Sequence, residues 1–509
     1  MEKRNLILLF FIIAKFVIQY FAIDAGYELH RDEYLHLDLG RHLAFGYLSV
    51  PPVTGLISFL IHLLGNSIFW VKFFPAFFGA LLIYVIWKTV EELKGGLFAL
   101  ILASVSVLFS ILIRMNSLYQ PNSLDVHFWT LVLFFIIKYL HTEKNKWLYY
   151  ASVSFAIGFL NKYNIGFLIL GLILSVILSK RRRLLANTHL YYSIIIAFLI
   201  LLPNLIWQLK NGIPVFYHLK TLSDNQLVNI NRIDFLVEQL YFFSGSLFVI
   251  ITGFISFFTY NRFKDYRMLF LTFVFTMCIF VYLRAKNYYS IGLYPIYIAF
   301  GSVYLEKLLS SGWQKYVRIP VLLIPILVFI PTISLMLPIL SPQEIITKKE
   351  IFDKFNLTRW EDGKIHELPQ DYADMLGWKE LACIVDSALT LVDEKDKTII
   401  HCDNYGQAGA INYYSKELIE QALSMNADYI NWYPLEKFEI KHVILVKEVY
   451  DPDKDRMKEK PIFEDVSLIG EIKNRYARES GTKVYLLRGA KQSINDILRE
   501  EIKNRKNKF

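Results

Sequence analysis

Cysteine is scarce. Three in 509 residues (Cys278, Cys383 and Cys402) are too few for a disulfide framework. Cys278 lies in an apolar run and reads as a small core residue, while Cys383 and Cys402 share the C-terminal part and would pair only outside the cytoplasm. A Walker loop, a GxGxxG turn, an HExxH pair and any repeat of 20–50 residues are also missing, so nothing suggests nucleotide binding or a solenoid. The net charge of +9 comes without an Arg-rich amphipathic face or an aromatic RNA-binding motif, which excludes nucleic acid as a partner. Charge is thin as well. Asp, Glu, Lys and Arg make up 20% of the chain, against about a quarter in ordinary soluble domains, and most of it follows residue 340.

The chain is instead rich in apolar residues, 54% hydrophobic and 16% aromatic, with a mean hydropathy of +0.36. A spanning helix needs about 20 mostly apolar residues. Runs of that kind fall at 5–23, 68–88, 96–113, 124–140, 148–160, 164–179, 190–206, 240–259, 268–283, 290–305 and 319–338. The first resembles a signal peptide but is long enough to span, and it reads as an uncleaved helix. The short apolar stretch 53–65 reads as re-entrant or interfacial.

With the N-terminus in the cytoplasm, the inner connections include 138–146, the run Lys180-Arg181-Arg182-Arg183, 261–267 and 306–318, which hold most of the loop Lys and Arg, as the positive-inside rule requires. The outer connections are then 24–67, 114–123, 161–163, 207–239 and 284–289. Eleven spans leave the tail outside. The expected architecture is mainly α: a polytopic helix bundle over 1–340 in the plasma (inner) membrane, then an extracytoplasmic α/β domain over 341–509. In the tail, TIIHC, HVILV and KVYLL read as strands, and SKELIEQALSM and SINDILREEIKNRKNKF as helices.

The outer connections carry the chemistry. HRDEYLHLDLGRHLAFGYLSVPP (30–52) sets Asp32 and Glu33 beside Asp24, Glu28 and Asp38, and RMNSLYQPNSLD brings Asp125 to the outer start of a span. Acids beside a membrane helix are often plain interfacial solvation, but ionisable groups at membrane depth are functional candidates. Paired carboxylates on one face suit general-base work on a hydroxyl. Asp32/His36 and Asp38/His42 stand at i,i+4; a divalent metal on His30, His36, His42 and the acids is the alternative to simple helical pairing, and pairing is the reading preferred. Arg284, Lys286, Tyr288 and Tyr289 close a span at the outer face. They read either as interfacial anchors or as a clamp that stabilises a phosphate as it leaves, with Lys162 of LNKYN beside them. HCDNYGQAGAINYY (401–414) reads as a plain βα loop, with a place near the membrane site as the alternative.

RDEYLHLDLGRHLAFGYLSVPP, RMNSLYQPNSLDVHFW, LNKYN, LPNLIWQ and RAKNYYSIGLYP occur in the order found in bacterial glycosyltransferase family 39. These are membrane enzymes of the GT-C type, related to protein O-mannosyltransferases and to the lipid A aminoarabinose transferase. The resemblance covers about residues 1–310, and DNYGQAGAINYY is similar to a stretch in some bacterial tails. It implies an inverting transfer of a sugar from a polyprenyl phosphate to an acceptor hydroxyl of a lipid, protein or glycan. Asp32-Glu33 would be the catalytic acidic motif and Asp125 the second acid, with Arg284, Lys286 and Tyr288 as the basic and tyrosine cluster. The aminoarabinose transferases carry Glu-Lys before the Pro-Pro pair, where this chain has Ser49-Val50, which argues against that sugar and acceptor. A transporter or flippase of a lipid-linked sugar is the alternative, although the inverted symmetry common in transporters is not seen; a non-catalytic scaffold is the third reading.

Overall fold

The computed structural model describes residues 2–22, 26–225 and 227–507; Asp24 lies outside them. Among the described residues, six helices are long and apolar enough to cross a membrane: Lys3–Phe21, Ile68–Glu92, Pro121–Thr142, Thr188–Lys210, Asn261–Tyr282 and Gly312–Met336. A seventh is counted if Arg232–Phe242 and Ser244–Thr259, bent by 69°, form one span. The other expected spans fall on the shorter helices Leu97–Leu108, Lys146–Asn161, Ile165–Leu178 and Tyr294–Leu308. The first and last of these are buried along most of their length, where protein rather than lipid surrounds a short helix. The 53–65 stretch is the helix Pro52–Leu63, opened by a proline at its first position, where the missing N–H costs nothing.

Close packing relies on small residues. A Cβ at Gly301 would strike the Val249 carbonyl and one at Gly253 the Tyr297 carbonyl, so the Leu247–Thr259 and Tyr294–Leu308 helices cross backbone to backbone. Lys15, inside the first span, faces the bundle interior: it is 2% exposed and donates to the Leu112 carbonyl at 3.5 Å.

The connections sort into two sets. Glu92 pairs with Lys138 and His141, Arg181 with Glu143 and Asp265, and Glu306 accepts from the N–H groups of Gly96 and Ala99. The loops expected on the opposite side meet one another and the tail, as in Arg114–Asp371 at 2.8 Å and Lys286–Glu361 at 2.6 Å.

The tail holds a five-stranded sheet: β1 (Thr398–Cys402), β2 (Leu423–Ser424), β3 (His442–Lys447), β4 (Phe463–Glu471) and β5 (Lys483–Ala490), in the order β2-β1-β3-β5-β4. β1 runs parallel to β2 and β3, whereas β5 is antiparallel to β3 and β4. The three expected strands are β1, β3 and β5, and the terminal helix is Ile494–Lys506, capped by Ser493. SKELIEQALSM is not helical. The preceding helix stops at Tyr414, Asp386 captures the Ser415 hydroxyl and the Lys416 N–H, and Leu423-Ser424 is drawn into the sheet as β2. The three cysteines are free thiols: Cys402 is buried at the end of β1, whereas Cys278 is exposed on the helix Arg267–Tyr282 and is not the core residue expected.

The tail docks through a shared apolar core. Tyr34, Leu35, Leu37, Ile61 and Val71 pack in one cluster with Tyr372, Trp378, Ile411 and Tyr429. Polar groups are satisfied across this junction: buried Asp38 accepts from Asn412 Nδ2 at 2.6 Å and Tyr429 Oη at 2.7 Å. Asp428 of the tail accepts from the N–H of Leu48 at 2.6 Å and from the N–H and hydroxyl of Ser49 at 3.2 and 2.6 Å.

Candidate active site

The helix Arg31–Leu39 starts with a capping box: His30 Nδ1 accepts from the Asp32 N–H at 3.2 Å, and Glu33 Oε2 accepts from the His30 N–H at 2.8 Å. Both acids sit in the first turn, where the helix dipole favours negative charge. From there they part. Glu33 is fully buried and its carboxylate is occupied: Lys72 Nζ donates to both oxygens at 2.7 Å, and the Tyr119 N–H adds a third donor at 2.7 Å. Asp32, its neighbour, keeps a third of its side chain exposed.

Two neutral donors hold Asp32. Tyr405 Oη reaches Oδ1 at 2.7 Å and Gln120 Nε2 reaches Oδ2 at 3.0 Å. Burial pushes the Asp32 pKa up, but His30, His36, Arg31 and the Tyr405 hydrogen bond outweigh it and bring the group down to about 2. It is therefore ionised at any physiological pH.

From Gln120 the polar contacts continue inward. Asn122 Nδ2 donates to Gln120 Oε1 at 2.8 Å, and Lys162 Nζ donates to Asn122 Oδ1 at 2.6 Å. The same ammonium lies 5.0 Å from the centre of the Tyr288 ring and 4.4 Å from that of Tyr289, within cation–π range. Burial lowers the Lys162 pKa to about 8; Asp125 opposes that and Lys286 adds to it, so both charged groups lie within its field. Asp125 is 5% exposed and sits in the first turns of Pro121–Thr142; it accepts from Trp129 Nε1 at 2.9 Å and Asn164 Nδ2 at 3.1 Å. Asn164 also donates to the Tyr289 carbonyl at 3.0 Å, which ties the LNKYN turn to the 284–289 loop.

Lys286 is paired with Glu361 of the tail. Burial lowers its pKa, but Glu361, Tyr289 and Asp32 raise it further, so it stays charged. Arg284 stands apart: it is exposed, with φ 52°, and its side chain joins none of these contacts. Asp32, Asp125, Lys162, Lys286, Tyr288 and Tyr289 thus share one region, Glu33 is enclosed behind it and Arg284 lies at its rim.

Among the described residues no group of three or more His, Cys, Asp or Glu is disposed to hold a metal ion. The three histidines serve elsewhere: His30 is a cap, His36 Nδ1 meets the Tyr119 carbonyl at 3.1 Å, and His42 stacks on Trp432 and bonds Gln421. Sequence reading missed Lys72, Gln120, Asn122 and Asn164. Their signal was available, since each is a polar side chain at or near the end of an apolar span. HCDNYGQAGAINYY is more than a plain loop, because the turn after β1 delivers Tyr405 to Asp32.

Residues 49–207 match the family model described as dolichyl-phosphate-mannose-protein mannosyltransferase. That stretch contains Asp125 and Lys162 and begins after Asp32-Glu33. A search of curated protein sequences gives no match. Among solved structures, ArnT from Cupriavidus metallidurans bound to undecaprenyl phosphate aligns with a TM-score of 0.62 at 12% identity, covering 94% of this chain and 97% of that one. Its apo state aligns with a TM-score of 0.60 at 11% identity, covering 96% and 98%. Identities this low speak for the fold alone. The apolar helices, the family match and the end-to-end structural likeness make this chain a multi-pass membrane protein with the GT-C glycosyltransferase fold.

Proposed function

We propose that the protein is an integral-membrane glycosyltransferase that moves a sugar from a polyprenyl-phosphate donor to an acceptor hydroxyl, with inversion, on the extracytoplasmic face of the plasma membrane. The observation that carries this reading is the hydrogen-bonded path from Asp32 through Gln120 and Asn122 to Lys162, which joins an ionised, accessible carboxylate to a half-buried lysine that lies in the field of Lys286. Asp32 takes the proton of the acceptor hydroxyl as its oxygen attacks the anomeric carbon. The bond from that carbon to the phosphate oxygen breaks, and the charge growing on the phosphate is met by Lys162 and Lys286, with the Tyr288 and Tyr289 rings shaping their setting. Arg284, at the rim, closes on the donor headgroup. Asp125 holds Asn164 and offsets the Lys162 charge, while Glu33 positions the helix that carries Asp32.

Sidedness rests on loop charge: the Lys180–Arg183 run and its companions belong in the cytoplasm, leaving the site and the 341–509 domain outside. Where an aminoarabinose transferase has Glu-Lys, this chain has Ser49-Val50, with Ser49 tied to Asp428, which argues against that sugar and acceptor and leaves the acceptor class as lipid, protein or glycan. The test is turnover of a lipid-linked sugar by purified protein, with mass spectrometry of envelope glycans from a deletion strain to identify the missing sugar. Movement of labelled lipid-linked sugar between leaflets without transfer would favour the flippase reading.

A further inference from the structure

The stretch 403–407 is built more firmly than a connecting loop requires. Asn404 caps the helix Tyr405–Tyr414 in a second capping box with Gln407. Asn404 Nδ2 donates to Glu448 at 2.7 Å and Glu479 at 3.0 Å, and Gln407 Nε2 donates to Glu479 at 2.7 Å. This helix lies against Arg31–Leu39 with little space between them. A Cβ at Gly409 would stand 2.7 Å from Tyr34 Cβ, and one at Gly406 would stand 3.2 Å from Arg31 Cβ. The Arg31 guanidinium sits 4.5 Å from the centre of the Tyr405 ring. The ring is held on one face by a cation and at its root by a satisfied cap, and its hydroxyl has Asp32 Oδ1 in reach at 2.7 Å.

We propose that Tyr405, supplied by the C-terminal domain, is a positioning residue of the transfer site: its hydroxyl fixes one oxygen of Asp32, leaving the carboxylate aimed at the acceptor. The inference rests on the glycosyltransferase reading and adds that docking of the tail completes the membrane site. Asp32 feels other charges from every side: His30, Arg31 and His36 on its own segment, Asp371 and Asp374 from the tail, and Lys286 with Tyr288 from the 284–289 loop. A variant that deletes one hydroxyl leaves all of these in place.

Tyr405→Phe in the full chain, purified in detergent, is that variant, since the ring keeps its contact with Arg31. Two readouts are taken. The first is the rate at which a carbodiimide and an amine label Asp32 at pH 5, read by peptide mass spectrometry against exposed Glu436 as internal reference. Labelling goes through the protonated fraction, and the Tyr405 hydroxyl helps hold the Asp32 pKa down, so its loss is expected to speed labelling several-fold. The second is the kinetics of sugar transfer, where kcat is expected to fall about tenfold while KM for the donor holds within about twofold. Unchanged labelling and unchanged kcat overturn the proposal and leave the glycosyltransferase reading intact. Faster labelling in a protein whose wild type transfers no sugar sinks the glycosyltransferase reading and retains the hold of Tyr405 on Asp32. Unfolding of the Phe variant, checked by its melting profile, would itself overturn the claim that the hydroxyl acts only through Asp32.

Discussion

Replacing Glu33 by Gln removes the negative charge that faces Lys72 Nζ at 2.7 Å and halves the acceptor capacity that serves the N–H groups of His30 and Tyr119. Both partners are buried: Glu33 is 0% and Lys72 9% exposed. Taking one member from a buried pair leaves a charge without compensation and typically costs about 3–5 kcal/mol, more than the pair itself contributes against a neutral replacement. Unfolding entropy of about 2 cal/mol/K per residue gives a chain of this length about 1 kcal/mol/K, so the midpoint should fall by about 3–5 °C. Lys72→Met should cost a similar amount. The double variant Glu33→Gln/Lys72→Met should recover most of the loss, because neither charge is then buried alone. The assay is a double-mutant cycle of thermal unfolding in detergent. Single variants that melt with wild type, or a double variant whose loss is the sum of the two, would refute the view of Glu33 as an enclosed structural charge.

Two further outcomes follow from the tail. Glu361→Gln frees Lys286 from its anionic partner and should tighten binding of polyprenyl phosphate several-fold, read by titration; unchanged affinity would place Lys286 outside the donor site. His401, bonded through Nδ1 to Tyr433 Oη at 2.7 Å, has its pKa lowered by burial from 6.5 to about 4. The unfolded chain then binds the proton more readily, so stability is full above about pH 6.5, falls as pH drops toward 4 and levels off below that. His401→Gln should flatten that slope in unfolding midpoints measured across pH.

What was legible in the sequence was whatever hydrophobic period and charge encode locally. The apolar runs landed on helices, and the Lys/Arg count sorted the connections into the two groups that assemble in the fold. TIIHC, HVILV and KVYLL formed strands because β-branched and aromatic residues there meet a parallel or antiparallel neighbour. SKELIEQALSM misled for the opposite reason: its helix propensity is real, but Asp386 and the edge of β1 claim its backbone. The site was half visible. Asp32-Glu33 stood out as a pair, yet nothing local says that Lys72, 39 residues away inside an apolar span, consumes one of them. Gln120 and Asn122 stay unread within RMNSLYQPNSLD, since a hydrogen-bonded path needs three segments in register. Arg284 is expected in the clamp from its charge and from the family resemblance, and the turn that ends its helix sends it to the surface.

In the proposed reaction Asp32 is the base of a sugar transfer from a lipid phosphate. The direct measurement is transfer from a polyprenyl-phosphate sugar by purified wild type and by Asp32→Asn, with folding of both checked by melting. Turnover by wild type and a fall of at least about a hundredfold in the variant are expected, in line with removal of a general base. Full activity in a well-folded Asp32→Asn protein would contradict it.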